Sequence, residues 1–442
     1  MLISHQIINM EDFFLDIVYK NKKVNSMKEK VILVVLGIFL VTFCCGCTEE
    51  NQEVISIETI ENSIQENVIE NEVIETEESN EAIEQEITTE TVEKITVEDS
   101  AIKLVMVGDM LMHTPVNETG VMEDGNIDFS HLFTYTEEMI QGADLALVNQ
   151  EVILGGEELG ISGYPAFNTY HELGDDLVDA GFDVVLHATN HALDKGKKGL
   201  LSCLSYWDST HPEIAVLGIQ DTAEEQDEIY IYEENGISIA ILNYTYGTNG
   251  IPLPEDMPFA VNMMDKEQMA EDIEKAKAQA DFIVVCPHWG TEYVLEETDY
   301  QRNFADFMLD CGVDLVLGTH PHVIEPVKML ENENGHQMLV YYSLGNYVNC
   351  TSSDKSDIGK RMLGAMAEVT IEKDVDGEVY ISEYGAHPLV TYVSEDQSEI
   401  AVYPLEQFTD EMALSSRTIK YDTSFSKTYC EQLWENVMGD ME

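Results

Sequence analysis

The chain has 442 residues, of which 85 are Asp or Glu and 22 are Lys or Arg, giving a formal net charge of -63. Binding a phosphate backbone needs clustered cations, so this balance excludes nucleic acid as a partner and argues against docking on anionic lipid by charge alone. Hydrophobic residues make up 44%, enough for a buried core, and the length suits one large or two ordinary domains.

The first segment, residues 1–47, reads as an N-terminal extension and export signal. Residues 31–43 are apolar or small, and Lys28 and Lys30 precede them. That run is too short to cross a bilayer of about 30 Å as a helix, but it matches the core of a signal peptide. Cys44, Cys45, Gly46 and Cys47 follow at once. Gly46-Cys47 at the end of such a core resembles a bacterial lipoprotein signal, which implies cleavage before Cys47 and a lipid on that cysteine. Cys44 departs from the pattern, since Leu is usual there. The alternative is an uncleaved anchor, and both place the body outside the cell, on the extracellular face of the membrane. Met27 is a second candidate start, which would make residues 1–26 an upstream extension.

Residues 48–100 hold 18 acids and one Lys, and they lack Gly, Pro and aromatic residues. Their isoleucines keep no steady helical or strand period, so the segment reads as a disordered, self-repelling spacer, with a marginal helix as the alternative. The body beyond it, 101–442, holds 63 acids and 16 bases. An acidic body tolerates bound divalent cations and suits the cation-rich exterior of a cell. Its five cysteines, Cys203, Cys286, Cys311, Cys350 and Cys430, are widely spaced and form no CxxC. A disulfide framework or a zinc-thiolate site is not expected.

In the body, apolar strands alternate with amphipathic helices. Strands are predicted at Ile102–Val107, Leu145–Val148, Asp183–Leu186, Phe282–Cys286, Leu315–Leu317 and Met338–Tyr342. Helices are predicted at Glu172–Ala180, Gly199–Ser209, Lys266–Ala280 and Tyr300–Cys311. Continuous apolar strands separated by helices imply an α/β domain whose sheet is buried and covered by helices. Open α/β sheets place ligands just past the carboxyl ends of their strands. Asp109, Glu151, Asn190, His191, His288, His320 and His322 all fall there, on five different strands. One such His is ordinarily a solvated loop residue, but repetition over five strands points to one convergent site. Two carboxylates, an amide oxygen and several imidazoles form a ligand set for Mn²⁺, Fe²⁺ or Zn²⁺.

Gly108-Asp109, Asn149-x-Glu151, Asn190-His191-Ala192-Leu193-Asp194, His288-Trp289-Gly290-x-Glu292, Gly318-x-His320-Pro321-His322 and Ser343-Leu344-Gly345-Asn346 occur in that order. Together they resemble the CapA family of poly-gamma-glutamate capsule biosynthesis proteins, a branch of the calcineurin-like metallophosphoesterases. The resemblance runs from about Ile102 to about Val348. It implies a two-sheet sandwich flanked by helices (α/β/β/α) with a centre of two divalent metal ions. On that resemblance Asp109 and His322 would bind the first metal and Glu151 would bridge. Asn190, His288 and His320 would bind the second, and His191 would be the acid that protonates the leaving group. The superfamily carries His two residues after the first Asp, where this chain has Leu111. His113 would replace it or contact substrate.

Two readings of function follow. One is a cell-surface hydrolase or transferase acting on poly-gamma-glutamate, another polymer or a phosphoester, with a membrane capsule-synthesis complex as partner. The other is a non-catalytic export or anchoring component that keeps the metal fold as a scaffold. No GxSxG elbow, GxxxxGK[ST] loop or GxGxxG turn offers a third chemistry. The core domain is read as 101–350. The tail, 351–442, is expected to add a hairpin turning at residues 374–377 and helices over 405–439, and to complete and cover the second sheet.

Overall fold

The computed structural model describes residues 100–350 and 357–439, all within the second of two units, Glu86–Glu442. The export signal, Cys47 and the spacer up to residue 99 lie outside the described residues.

Four strands come first: β1 (Ala101–Met110), β2 (Leu145–Asn149), β3 (Val184–Leu186) and β4 (Ala215–Leu217). Helices α1 (Thr114–Thr119), α2 (Glu137–Gln141), α3 (Glu172–Ala180) and α4 (Gly196–Thr210) connect them. The middle of the chain supplies β5 (Tyr230–Glu234), β6 (Ile237–Thr245), β7 (Phe282–His288), β8 (Leu315–Leu317), β9 (Ile324–Glu331) and β10 (Gln337–Leu344). Helices α5 (Ala223–Asp227), α6 (Lys266–Lys277) and α7 (Asp299–Cys311) belong to this part. The last strands are β11 (Asn346–Val348), β12 (Leu363–Lys373), β13 (Val379–Val393) and β14 (Ile400–Pro404), followed by α8 (Asp410–Ser415) and α9 (Lys427–Val437).

These strands form two sheets. The first runs β14-β13-β12-β1-β2-β3-β4, with β11 also paired to β1, and the second runs β5-β6-β7-β8-β10-β9. In each sheet four neighbouring strands are parallel; β11 is also parallel to β1, and the other flanking strands are antiparallel. The layering follows from strand alternation. Phe282, Val284 and Cys286 of β7 face the core shared with the first sheet. Ile283 and Val285 face α6 and α7, packing on Met269, Ile273, Phe304 and Met308. Leu173, Leu177, Leu200 and Trp207 of α3 and α4 cover the first sheet. The expected α/β/β/α sandwich is therefore the observed fold. Each fully buried Leu, Ile, Val or Phe contributes about 1.5–3 kcal/mol, so both faces of both sheets hold the fold together.

Capping residues set both ends of α7. Thr298 accepts from Gln301 N, and the Gln301 side chain accepts from Thr298 N, a reciprocal cap that starts α7. Gly312, at φ +90°, ends it.

Two features depart from expectation. The tail hairpin does not complete the second sheet. It extends the first, with β12 antiparallel to β1 from Ala101↔Glu372 to Val107↔Met366. β5 and β9 already occupy the outer positions of the second sheet, so the open edge of β1 receives the tail. Besides β4, β9, β11 and β14, the β5–β6 hairpin is additional to the expected strands. It turns on Asn235 and Gly236, both at positive φ, the Asn-Gly pair that two-residue hairpins favour. Among the described residues no helix is long and apolar enough to cross a membrane, and the five body cysteines are free thiols.

Candidate metal centre

The first sheet delivers the carboxylates. Gly108 precedes Asp109 where β1 passes the turn after β10, and a Cβ there would stand 2.0 Å from Gly345 O. Only glycine permits that approach. Asp109 then emerges fully buried. Asn149, the last residue of β2, donates Nδ2 to Asp109 Oδ1 at 2.8 Å. Two residues on, Glu151 is also fully buried. Its backbone carbonyl accepts from Thr189 Oγ1 at 2.8 Å, which ties the β2 loop to the β3 loop.

The second sheet delivers the imidazoles. His288 ends β7, and its Nδ1 lies 3.0 Å from Thr319 Oγ1, so its Nε2 is turned to Asn190 Oδ1 at 2.9 Å. His320 and His322 follow β8 with φ of +99° and +58°. Left-handed backbone at non-glycine residues costs on the order of 1–3 kcal/mol and concentrates at functional sites. The bend aims both rings inward. His322 Nδ1 lies 3.1 Å from Asp109 Oδ2 and 3.1 Å from Asn346 Oδ1. Glu151 Oε1 stands between the groups, 3.9 Å from His288 Nε2 and 3.7 Å from His322 Nε2. Donor atoms of Glu151, His320 and His322 all lie within 4.8 Å of one another.

His191 adjoins this cluster. Its Nε2 is 3.8 Å from Glu151 Oε1, and its Nδ1 is 2.6 Å from Asp194 Oδ2. Asp194 Oδ2 also accepts from Phe167 N at 2.7 Å, which fixes the carboxylate. The edge of His191 meets the Phe167 ring at 4.7 Å between centroids. His113, the N-cap of α1, packs on the same Phe167 ring at 5.2 Å. All eight body residues named from the sequence are thus brought into one neighbourhood, with His113 at its edge. Leu111, by contrast, is packed into the core.

Several partners were not singled out from sequence. Asn149, Asp194 and Asn346 lie inside the recognised motifs, but a motif alone does not say which neighbour an amide or carboxylate meets. Asn249 carries no motif signal, yet its Oδ1 accepts from Asn190 Nδ2 at 3.3 Å. Asn243, near the end of the unexpected strand β6, joins the sheets, accepting from Ala188 N at 2.7 Å and donating to Cys286 O at 2.8 Å.

The charges are arranged for a cation. Burial pushes the Glu151 carboxyl well above the usual range, with His322 opposing and Asp109 adding to the rise. Burial and neighbouring imidazoles hold His288 and His320 well below the usual imidazole value. Burial also opposes charge on His322, but Glu151 and Asp109 outweigh it and raise the ring to about 9. Both Glu151 carboxylate oxygens, Asn149 Oδ1 and His320 Nδ1 are buried without a hydrogen-bond partner. Unpaired buried polar atoms cost free energy, and a divalent cation is the partner that nitrogen and oxygen donors of this kind accept. The donor set fits a metal.

The family described as bacterial capsule synthesis protein PGA_cap matches residues 103–351, more than half the chain. The chain belongs to this family. Over 256 residues it is 31% identical to the PGA biosynthesis protein CapA of Bacillus subtilis, covering 57% of this chain and 64% of the relative. Over 260 residues it is 26% identical to the capsule biosynthesis protein CapA of Bacillus anthracis, covering 57% and 60%. In both cases the match spans less than two thirds of the relative's length. Among solved structures, a 5'-nucleotidase precursor from Thermus thermophilus aligns at 13% identity and a TM-score of 0.40, covering 76% of this chain and 58% of that one.

Proposed function

We propose that the body is a metal-dependent hydrolase or transferase of capsule polymer synthesis, held on the outer face of the cell membrane by a lipid on Cys47. The family supports the capsule role. The observation that carries the metal reading is Glu151, a fully buried carboxylate with neither oxygen hydrogen-bonded, set among imidazoles. Asp109 and His322 would hold one cation and Asn190, His288 and His320 a second, with Glu151 between. A divalent cation bound there supplies Lewis acidity to a phosphoryl or acyl oxygen.

The remaining chemistry belongs to the chain. Asp194 holds His191 at Nδ1, which leaves Nε2 to give a proton to the departing oxygen or nitrogen. Phe167 shields the imidazole from water; His191 is 6% exposed. The substrate class is poly-gamma-glutamate or another polymer or phosphoester. The test is metal content of the purified protein, followed by turnover of a chromogenic phosphodiester and of poly-gamma-glutamate with Mn²⁺. Metal-free protein after loading, or no turnover of either substrate, would remove the enzyme reading.

Leu111 favours a second reading, a non-catalytic export or anchoring component. It fills the core where the resembling superfamily carries a ligand, so the first cation would have one imidazole fewer. A scaffold of this kind needs the metal but not the acid, so His191→Ala would leave capsule formation intact.

A further inference from the structure

A loop reaches the amide nitrogen of Asn190. Beyond β6 the chain runs Tyr246-Gly247-Thr248-Asn249-Gly250-Ile251. It starts beside a candidate ligand, since Tyr246 N donates to His288 O at 3.0 Å. The Tyr246 ring lies 4.6 Å from that of His320. Burial raises the Tyr246 phenol, with Glu292 adding and a hydrogen bond with Asn190 opposing. The loop then turns tightly. Asn249 and Gly250 have φ of +51° and +76°, and Ile251 N donates to Thr248 O at 2.9 Å. Thr248 Oγ1 donates back to Ile251 O at 2.6 Å. Two successive residues at positive φ are what Asn-Gly supplies. The turn lays the exposed Asn249 side chain on the buried Asn190. Asn249 Oδ1 accepts from Asn190 Nδ2 at 3.3 Å. Its Nδ2 stands 3.4 Å from His191 Nδ1, which is closer to Asp194 Oδ2 at 2.6 Å. One amide therefore touches both members of the Asn190-His191 pair.

We infer that Asn249 is a positioning residue that turns the Asn190 amide so that its oxygen, not its nitrogen, faces the metal centre. The inference rests on the metal reading above. A carboxamide carries an acceptor oxygen at one end and an N–H₂ donor at the other, and the two ends have nearly the same shape. Packing does not choose between them, so hydrogen bonds must. Only the oxygen can ligate a cation. At one end of the Asn190 amide, Oδ1 stands 2.9 Å from His288 Nε2. At the other end Nδ2 meets Asn249 Oδ1, an atom that accepts and cannot donate. With the Asn190 amide reversed, two carbonyl oxygens would oppose each other at Asn249, and Nδ2 would be turned toward the cation. Groups that hydrogen-bond a ligand fix the atom it presents and tune its affinity. The turn itself does not need this side chain, because glycine adopts positive φ at no steric cost. The amide is thus free to act on Asn190.

The test is calorimetric titration of the full chain with Mn²⁺, with thermal midpoints measured on the same metal-free samples. Asn249→Gly keeps a residue suited to positive φ and removes the carbonyl. It should weaken one step of Mn²⁺ uptake by about 10–100-fold, the usual effect of losing a ligand's hydrogen-bond partner, while the midpoint stays near wild type. Asn249→Asp places an acceptor oxygen at the same site and also tolerates positive φ. It should bind Mn²⁺ as tightly as wild type or more tightly, a rescue that a role in the turn alone would not produce. Asn249→Gly that takes up Mn²⁺ like wild type overturns the inference and leaves the metal reading standing. Asn249→Asp that binds as weakly as Asn249→Gly overturns it too. Wild type that takes up no Mn²⁺ removes the metal reading, and the inference with it.

Discussion

Asn190 Oδ1 and His288 Nε2 lie 2.9 Å apart, although one follows a strand of the first sheet and the other ends a strand of the second. The centre is therefore a seam between two sheets, and its donors come from both. Removing a donor from either side should lower metal occupancy. His288→Ala and His320→Ala should each bind fewer ions than a wild type that takes up about two per chain. Elemental analysis after Mn²⁺ or Zn²⁺ loading checks this, and unchanged stoichiometry in both variants would remove these imidazoles from the site.

The contact between His191 and Asp194 carries a prediction about chemistry. His191→Ala should reduce turnover by about 10²–10⁴-fold, the usual worth of general acid catalysis, while metal content stays near wild type. Asp194→Asn should also slow turnover, because His191 loses the carboxylate that fixes its Nδ1 and so its ring orientation. Rates and metal content measured on the same samples decide the matter. Full activity in His191→Ala would end its role as the acid.

A test of the framework lies at Gly108. Its Cβ would meet a backbone oxygen rather than a flexible side chain, so Gly108→Ala should cost about 3 kcal/mol or more and shift Asp109. Denaturant unfolding and metal uptake should both suffer. A variant with wild-type values of each would mean that β1 and the β10–β11 turn can separate freely.

Glu325, at the start of β9, offers a pH prediction away from the centre. It is fully buried, with Oε1 unpartnered and Oε2 accepting from Gln301 Nε2. Burial pushes its carboxyl up to about 8, Gln301 opposing. An acid whose folded pKa is raised stays protonated in the fold while the unfolded chain ionises. Its contribution is therefore lost as pH climbs from the ordinary Glu range to about 8. Glu325→Gln should match wild type near pH 4.5 and melt higher at pH 8. Thermal midpoints at the two pH values read this directly, and an equal offset at both would contradict it.

The anchor is tested at the mature N-terminus. Mass spectrometry of membrane-fraction protein should find a lipidated Cys47 as the first residue. An intact Met1 or Met27 in that fraction would support the uncleaved anchor instead.

Much of the centre was legible because strand ends in a parallel sheet face one edge, so polar residues after apolar runs must converge there. Asp109, Glu151 and His288 needed no more than that rule. β6 was missed although Ile237–Thr245 is, like β1 and β7, a run buried on both faces and follows an Asn-Gly turn. The destination of the tail was hidden. The hairpin around residues 374–377 could be read locally, but its sheet was decided by which edge stood open once β5 and β9 had taken their places.

By itself the sequence determined the alternation of strands and helices, the acidic balance, and which side chains could serve as ligands. Those properties are local, set by periodicity, capping and residue chemistry. Tertiary structure alone decided the pairings. It set His322 against both Asp109 and Asn346 and Asn190 against His288. Side-chain contacts between residues far apart in the chain depend on sheet order and on positive-φ backbone at His320 and His322, and no local pattern encodes either.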